Sequence, residues 1–147
     1  MKTALLSLML VGTVSTVALA QAPADIKWGP APPFLPAGAR FTVLQGDPSK
    51  EGVYTVRIEM PVGYYIPPHS HPTDEDVTVI SGSLELGMGD APNPATSMTL
   101  PAGGFAVAPA ATHHYARAKA ATVVQVHGMG PFAITYVDPK DDPRGHP

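Results

Sequence analysis

Hydrophobic and polar residues alternate along several short stretches of the chain, a period of two that is typical of β-strands with one buried face. The clearest cases are 53–60 and 122–127, in which aliphatic or aromatic residues occupy every second position. The other predicted strands are 41–45, 64–66, 77–80, 83–87, 97–100, 105–108, 114–118 and 132–137. Ser81-Gly82 separates two of these strands and predicts a hairpin between them.

Proline and glycine are spread through the chain, with 18 and 14 copies, and they argue against long helices. Short strands separated by turn residues predict an all-β sandwich or small barrel with little or no helix. We place this barrel at 41–138. The proline-rich segment 21–40 predicts an extended arm, and the polar segment 139–147 predicts a tail that is loose at its end.

The first twenty residues have the pattern of a secretory signal peptide. Lys2 gives a positive start, an apolar stretch follows at 4–18, and Ala18-Leu19-Ala20 provides the small residues of a cleavage site before Gln21. A membrane anchor and a buried N-terminal helix are the alternatives, but Gly, Ser and Thr interrupt the apolar stretch and no stop-transfer charges follow it. We therefore expect a signal peptide at 1–20 and a periplasmic or secreted protein with no membrane span after cleavage.

The charge and cysteine content exclude several classes of function. The formal net charge is −3 and no basic patch is visible, which argues against binding of nucleic acid. The chain has no cysteine, so disulfides, thiolate ligands and cysteine nucleophiles are absent. Neither a nucleophile elbow nor a phosphate-binding loop is present.

Histidines and a carboxylate are concentrated in one short region. His69 and His71 are two residues apart, so on a strand both imidazoles would point to one face, roughly 6.6 Å apart. Glu75 follows after Pro72-Thr73 and can add an oxygen ligand. Two histidines and a carboxylate suit Fe(II), Mn, Ni, Zn or Co, and leave coordination positions open. The alternative is a surface strand that carries solvated histidines.

The spacing of these residues matches two signatures of a known family. The first signature is formed by Gly63, His69-Ser70-His71, Glu75 and Gly82, and the second by Gly103, Pro109, Ala111 and His114. In both, the chain resembles the cupin superfamily over about 41–137. The resemblance implies an antiparallel double-stranded β-helix, or jelly-roll barrel, and one divalent transition metal held by His69, His71, Glu75 and His114.

The second signature departs from the family pattern at two positions. Ala111 stands where glycine is usual, which restricts a turn, and Ala118 stands where asparagine is usual, which removes a polar group. Segments such as 67–75, 87–90, 130–132 and 141–144 are similar to a subgroup of small exported bacterial cupins. That subgroup has no secure assigned reaction, so the similarity bears on the fold. The resemblance also implies a possible homodimer, because small barrels of this type often pair through a sheet edge.

The residues beside the proposed ligands are assigned by strand parity. His113 and His114 are adjacent, so only one can face the barrel interior, and the signature selects His114. Asp74 and Asp76 flank Glu75 and are expected to face solvent by the same argument.

Two further residues are candidates for catalysis, each with a structural alternative. His127 shares a strand face with Gln125, and both would enter the cavity if that face points inward; His127 could also be a satisfied buried histidine. Tyr64 and Tyr65 precede the ligand strand and one of them must face in, where it would bind substrate or pack the core. Arg57 is expected on an exposed face, where it can pair with Glu59.

The predicted function is that of a metal-dependent enzyme acting on a small organic substrate. An oxygenase-type reaction is the leading hypothesis, with isomerase and lyase chemistry left open. The alternatives are a non-catalytic periplasmic protein that binds a small molecule or a metal, and a barrel in which the metal is only structural.

Overall fold

The structure is a computed structural model that describes Ala22 and residues 25–145. The signal peptide predicted at 1–20 lies outside the described residues, as do the last two residues of the tail. Among the described residues, no helix is both long and apolar enough to cross a membrane.

Eleven β-strands make up half of the described chain. They are β1 (Gly29–Pro30), β2 (Arg40–Gln45), β3 (Gly52–Met60), β4 (Tyr65–Ser70), β5 (Glu75–Ser81), β6 (Ser83–Met88), β7 (Ser97–Pro101), β8 (Phe105–Ala108), β9 (His114–Ala118), β10 (Thr122–Gly130) and β11 (Thr135–Tyr136). Helix is limited, in this part of the chain, to short 3₁₀ turns such as Pro94–Thr96, Pro139–Asp141 and Pro143–Gly145. The predicted all-β fold is confirmed.

The strands form two antiparallel sheets that enclose the core of a jelly-roll barrel. The larger sheet has the order β1-β2-β3-β10-β5-β8, and the smaller sheet has the order β11-β4-β9-β6-β7. Apolar side chains of both sheets, such as Val56, Val79 and Leu84, are buried between them. This interior holds the candidate functional site.

The hairpin predicted around Ser81-Gly82 is wrong, because β5 and β6 lie in different sheets. β5 pairs with β10 and β8, whereas β6 pairs with β9 and β7. Gly82 has a φ of +81°, and a Cβ there would lie 2.3 Å from the Ala121 carbonyl oxygen. The glycine therefore allows a sharp turn that passes close to the chain before β10 and carries it from one sheet to the other.

Gln125 and His127 of β10 face away from the barrel interior, so neither side chain can line the cavity. Val124 and Val126 are buried between the sheets, whereas Gln125 is half-buried and His127 is exposed. Gln125 accepts a hydrogen bond of 3.1 Å from Arg57 Nε on the outer face. Arg57 thus lies on an outer face as expected, although the partner of Glu59 is Arg40.

The N-terminal arm is packed against the barrel, whereas its proline content predicts only an extended segment. Its strand β1 pairs with β2, and Leu35 and Ala39 are buried in the core. At the other end of the chain, Arg144 Nη2 donates a 2.9 Å hydrogen bond to the Ile134 carbonyl. The described part of the tail is therefore held against the barrel.

Candidate metal centre

A β-bulge in β4 turns His69 toward the barrel interior. Ile66 pairs with Ala116 of β9, and His69 pairs with His114, so three steps along β4 match only two along β9. The extra residue reverses the alternation, and Ile66 and His69 therefore both face the interior. Pro67-Pro68 occupies the bulge, and proline is tolerated at bulges because it has no N–H to donate to a ladder.

The other three candidate ligands come from the ends of neighbouring elements. His71 follows β4 directly, Glu75 begins β5, and His114 begins β9. Ala111 donates a backbone hydrogen bond of 2.8 Å to the His71 carbonyl, and its φ is 57°. The usual glycine would adopt this left-handed conformation without strain, so the substitution leaves the turn in place at an energetic cost.

Backbone carbonyls fix the orientation of all three buried histidines. Nδ1 lies 2.6 Å from the Pro67 carbonyl in His69, 2.8 Å from the Ala133 carbonyl in His71, and 3.0 Å from the Thr112 carbonyl in His114. A carbonyl oxygen only accepts hydrogen bonds, so each Nδ1 carries a proton, and Nε2 is the ring nitrogen left to bind an ion. The candidate ligand atoms of the three rings all lie within 4.8 Å of one another.

The inward nitrogens of two of these rings are buried without a hydrogen-bond partner. They are Nε2 of His71 and Nε2 of His114, whose nearest oxygen is Oε2 of Glu75 at 3.4 and 3.5 Å. These separations exceed the roughly 2.7–2.9 Å of a charge-assisted hydrogen bond. Buried polar atoms are rarely left unsatisfied, and a cation between these nitrogens and Glu75 would satisfy them. The residues present therefore fit a metal ion.

The electrostatics of the site favour the cation-binding protonation states of His69 and Glu75, but not that of His71. Burial, together with His114 and His71, lowers the pKa of His69 to about 3, so its ring is neutral. Burial alone would raise the pKa of Glu75, but His71 and His114 outweigh this effect and hold it below its usual range, which leaves a carboxylate. Burial also opposes charge on His71, yet Glu75 raises its pKa, so a proton competes with an ion there.

A small apolar cavity of about 30 Å³ surrounds these four residues. A cavity needs roughly 10–15 Å³ per water, so this space holds about two water molecules. Apart from the four candidate ligands, every lining residue is apolar: Leu35, Ile58, Met60, Ile66, Val77, Leu84, Leu86, Ala116, Val124, Val126, Phe132 and Ile134. Sequence reasoning missed Leu35, which is contributed by the arm; its only signal was an apolar residue among prolines.

Tyr64 and Tyr65 do not reach the cavity. Tyr64 is buried, but its hydroxyl donates a hydrogen bond to the Pro36 carbonyl. Tyr65 is half-buried and lies under the guanidinium of Arg117, 4.4 Å from the ring centre. Tyr64 is therefore the tyrosine that faces inward, and it packs in the core. Its hydroxyl is bonded to the Pro36 carbonyl and is not directed at the cavity.

His127 lies outside the barrel, so the cavity role considered for it is wrong. Its Nδ1 is 2.9 Å from Thr55 Oγ1 in an outer groove that also contains Asp74 and Asp76. The cause is the inward packing of Val124 and Val126, which turns His127 to the opposite face. His113 is also on the outside, with Nδ1 2.6 Å from Asp90 Oδ1. His113, Asp74 and Asp76 are thus placed as strand parity predicts.

Comparison with known proteins agrees with the fold. The family described as the ChrR cupin-like domain matches residues 16–133. A structure from Methylibium petroleiphilum, provisionally assigned as an acetylacetone dioxygenase, is 22% identical with a TM-score of 0.63, and the match covers 92% of this chain and 90% of that one. DMSP lyase from Ruegeria pomeroyi is 21% identical with a TM-score of 0.62, over 80% and 64% of the two chains. An RmlC-like cupin from Ralstonia eutropha is 20% identical with a TM-score of 0.60, over 88% and 76%.

At these identities the structural likeness concerns the fold alone. No curated protein matches the sequence. The family match, however, spans most of the chain and includes all four candidate ligands. The chain therefore belongs to the cupin superfamily, as a ChrR cupin-like domain.

Proposed function

We propose that the protein binds one divalent transition metal through His69, His71, His114 and Glu75, and that it is a metal-dependent enzyme of oxygenase type. The observation that carries the proposal is the convergence of three buried imidazoles, each with Nδ1 bonded to a backbone carbonyl. This arrangement leaves three Nε2 lone pairs directed at one point. A carboxylate beside two of them supplies the negative charge that a divalent cation requires.

The chemistry of the cavity is limited by its lining. A divalent ion there would act as a Lewis acid and as a template for a small substrate. Among the residues that the structure describes, Glu75 is the one carboxylate that lines the cavity, and it is the group that can accept a proton from a bound molecule. The apolar wall excludes bulk water and strengthens electrostatic interactions inside.

The lack of a separate acid–base pair favours an oxygenase over hydrolytic or proton-shuttling reactions. In the described structure, Tyr64 and His127 are both directed elsewhere, so no side chain beyond the ligands can act as a second proton donor. One neighbour in fold is named as a provisional dioxygenase and another as a lyase, which supports a reaction on a small molecule. Oxygen consumption in a screen of small diketones, phenols and organosulfur compounds tests the oxygenase proposal.

Removal of one imidazole tests the metal site itself. We expect His69→Ala to lower metal affinity by at least about 100-fold, since a site worth roughly 10–16 kcal/mol is shared among four ligands. Elemental analysis of protein isolated from its native compartment gives the occupancy. His127→Ala is the matched control, because it removes an imidazole from the outer face. Equal metal content in both variants would refute the site.

A non-catalytic role is the second candidate, and the cavity volume favours it. About 30 Å³ holds an ion with its water but not an organic molecule of several heavy atoms, unless the wall opens. Zinc as the sole native metal, together with no oxygen uptake on any screened compound, would support this role over the oxygenase.

We also propose that the protein is exported. The support is the charge, apolar stretch and small residues of 1–20, with cleavage expected before Gln21. The mass of the protein recovered from periplasm or culture medium tests this. A mass that includes residues 1–20 would contradict it.

A further inference from the structure

The candidate metal ligands are deeply buried in the barrel. His114, His69, His71 and Glu75 are 1, 2, 4 and 8% exposed, and the cavity around them holds about two waters. Any ligand larger than water therefore requires part of the wall to move before it reaches the ion.

Most of this wall is held by the hydrogen bonds of the sheets, but the N-terminal arm is not. Between β1 and β2, the backbone of the arm makes one local hydrogen bond, from Leu35 N to the Pro32 carbonyl at 3.0 Å. Two tyrosine hydroxyls attach the arm to the barrel: Tyr64 donates to the Pro36 carbonyl, and Tyr136 donates to the Phe34 carbonyl at 2.7 Å. Segments with few backbone bonds open at lower free energy than sheet strands.

A surface cleft lies next to the cavity at this point. The cleft has a volume of about 170 Å³, and Pro32, Phe34 and Phe132 are part of its lining. Phe132 also lines the metal cavity, as does Leu35, the neighbour of Phe34. The ring of Phe34 packs edge-on against Phe132 at 5.4 Å between centroids. Leu35, Phe34 and Phe132 thus form the partition between the cleft and the cavity.

The arm side of this partition is easier to displace than the Phe132 side. Phe132 N donates to the Pro48 carbonyl at 2.7 Å, and the next residue, Ala133, accepts the hydrogen bond that orients His71. Movement of that segment would disturb a candidate ligand. Movement of the arm breaks two tyrosine hydrogen bonds and exposes Leu35, and it leaves the three histidines in place.

We infer that Leu35, held by the Tyr64 and Tyr136 hydroxyls, is the gate residue of the metal cavity and sets the size of ligand that reaches the ion through the cleft. With the arm seated, the cavity accepts only water-sized ligands. Apart from the four candidate ligands, the described residues of the cavity wall are apolar, so the wall favours compact ligands with an apolar body. This inference rests on the proposed metal site.

The test uses the cobalt(II)-loaded full-length protein and two probes of different size, azide and imidazole. Stopped-flow absorbance of the cobalt follows the binding of each probe. We expect Leu35→Ala to bind imidazole at least about tenfold faster than the unmodified protein, because the arm loses the buried area that holds it shut. Leu100→Ala is the matched control, since Leu100 packs against the core from strand β7 and is not among the residues that line the cavity. It should leave the imidazole rate unchanged.

Removal of the two tyrosine hydroxyls that hold the arm separates the effect of arm opening from the effect of cavity size. The double variant Tyr64→Phe, Tyr136→Phe loses two hydrogen bonds of about 1 kcal/mol each and keeps the side-chain volumes, so both probes should bind faster, by up to about 30-fold. Equal acceleration by Leu100→Ala and Leu35→Ala, or unchanged rates in the double variant, would overturn the inference.

A metal-free measurement distinguishes failure of the gate from failure of the proposed function. If no variant binds cobalt, the metal proposal fails, and hydrogen exchange of the apoprotein still tests the arm. The amides of Phe34 and Leu35 should then exchange faster than those of β3 and β10, and faster again in the double tyrosine variant. Exchange of the arm as slow as that of the central strands would refute the gate.

Discussion

Among single residues, Glu75 is attached to the candidate site differently from the three histidines. The imidazoles are oriented by backbone carbonyls and have their ligand atoms within 4.8 Å of one another, whereas Glu75 contributes charge from beside His71 and His114. Its carboxylate is maintained because those histidines hold its pKa low against the effect of burial. In the proposed metal site, the contribution of Glu75 would therefore be mainly electrostatic.

Replacement of Glu75 by its amide tests this assignment. We expect Glu75→Gln to keep the fold and to weaken metal binding at least about tenfold, because the shape is preserved but the charge is lost. Competition with a chromogenic chelator measures the affinity. Glu85→Gln is the control, since Glu85 pairs with Lys119 outside the cavity. A Glu75→Gln variant with undiminished affinity would remove Glu75 from the ligand set.

Local spacing could predict that His69 and His71 face the same way, and the resemblance to the cupin signatures added His114, but neither could predict which other residues surround them. His69, His71 and His114 fall at fixed offsets within short segments, and the structure brings all three together. Leu35 reaches the cavity from a distant arm, and His127 depends on which face of β10 is inward. Neither property is encoded in neighbouring residues, because both depend on packing between elements that are far apart in the chain.

Among the elements, strand β10 shows that the choice of inward face decides which side chains line the cavity. Valines at 124 and 126 alternate with Gln125 and His127, and either pair can face inward on sequence grounds alone. The buried valines complete the apolar wall of the cavity and leave the polar pair outside. The bulge at Pro67-Pro68 is a second such case, since the extra residue reverses the parity of β4 before His69.

A threonine scan of β10 checks this parity. We expect Val126→Thr to lower the free energy of unfolding by about 1–3 kcal/mol, because it places a hydroxyl in an apolar cavity at nearly constant volume. Val123→Thr is the control on the outer face and should change it by less than about 0.5 kcal/mol. Urea denaturation measures both. The opposite order of the two values would show that the valines at 124 and 126 do not face the interior.

For the molecule as a whole, the candidate ligands connect the two sheets. His69 and His114 lie on β4 and β9 of the smaller sheet, whereas Glu75 lies on β5 of the larger one. An ion bound between them would cross-link the sheets in the folded state and would be lost on unfolding. Metal binding should therefore stabilise the entire barrel as well as the site.

Removal of metal is expected to lower the melting temperature without loss of the strands. At a free metal concentration 100 times the dissociation constant, binding contributes about 2.7 kcal/mol, which corresponds to roughly 10 °C for a domain of this size. Calorimetry of the protein with metal and after treatment with a chelator measures the shift. His114→Ala should show no difference between the two conditions. A shift of equal size in that variant would place the stabilising ion elsewhere.

The all-β architecture was predictable from the sequence because alternation and turn residues act locally, whereas the pairing of strands was not. Gly82 correctly marks a sharp turn, yet a turn of this kind can close a hairpin or carry the chain to the opposite sheet. The second outcome follows from the pairing of β5 with β10, whose partner residues lie more than forty positions away.

The dependence of all three imidazoles on backbone carbonyls has a consequence for protein engineering. In many metal proteins the ligands are held by neighbouring side chains, so redesign of the surroundings risks loss of the metal. Here the supporting groups are the carbonyls of Pro67, Thr112 and Ala133, which no amino-acid replacement deletes. A change to a side chain of the apolar wall therefore leaves in place the groups that orient the imidazoles, provided that the backbone is preserved.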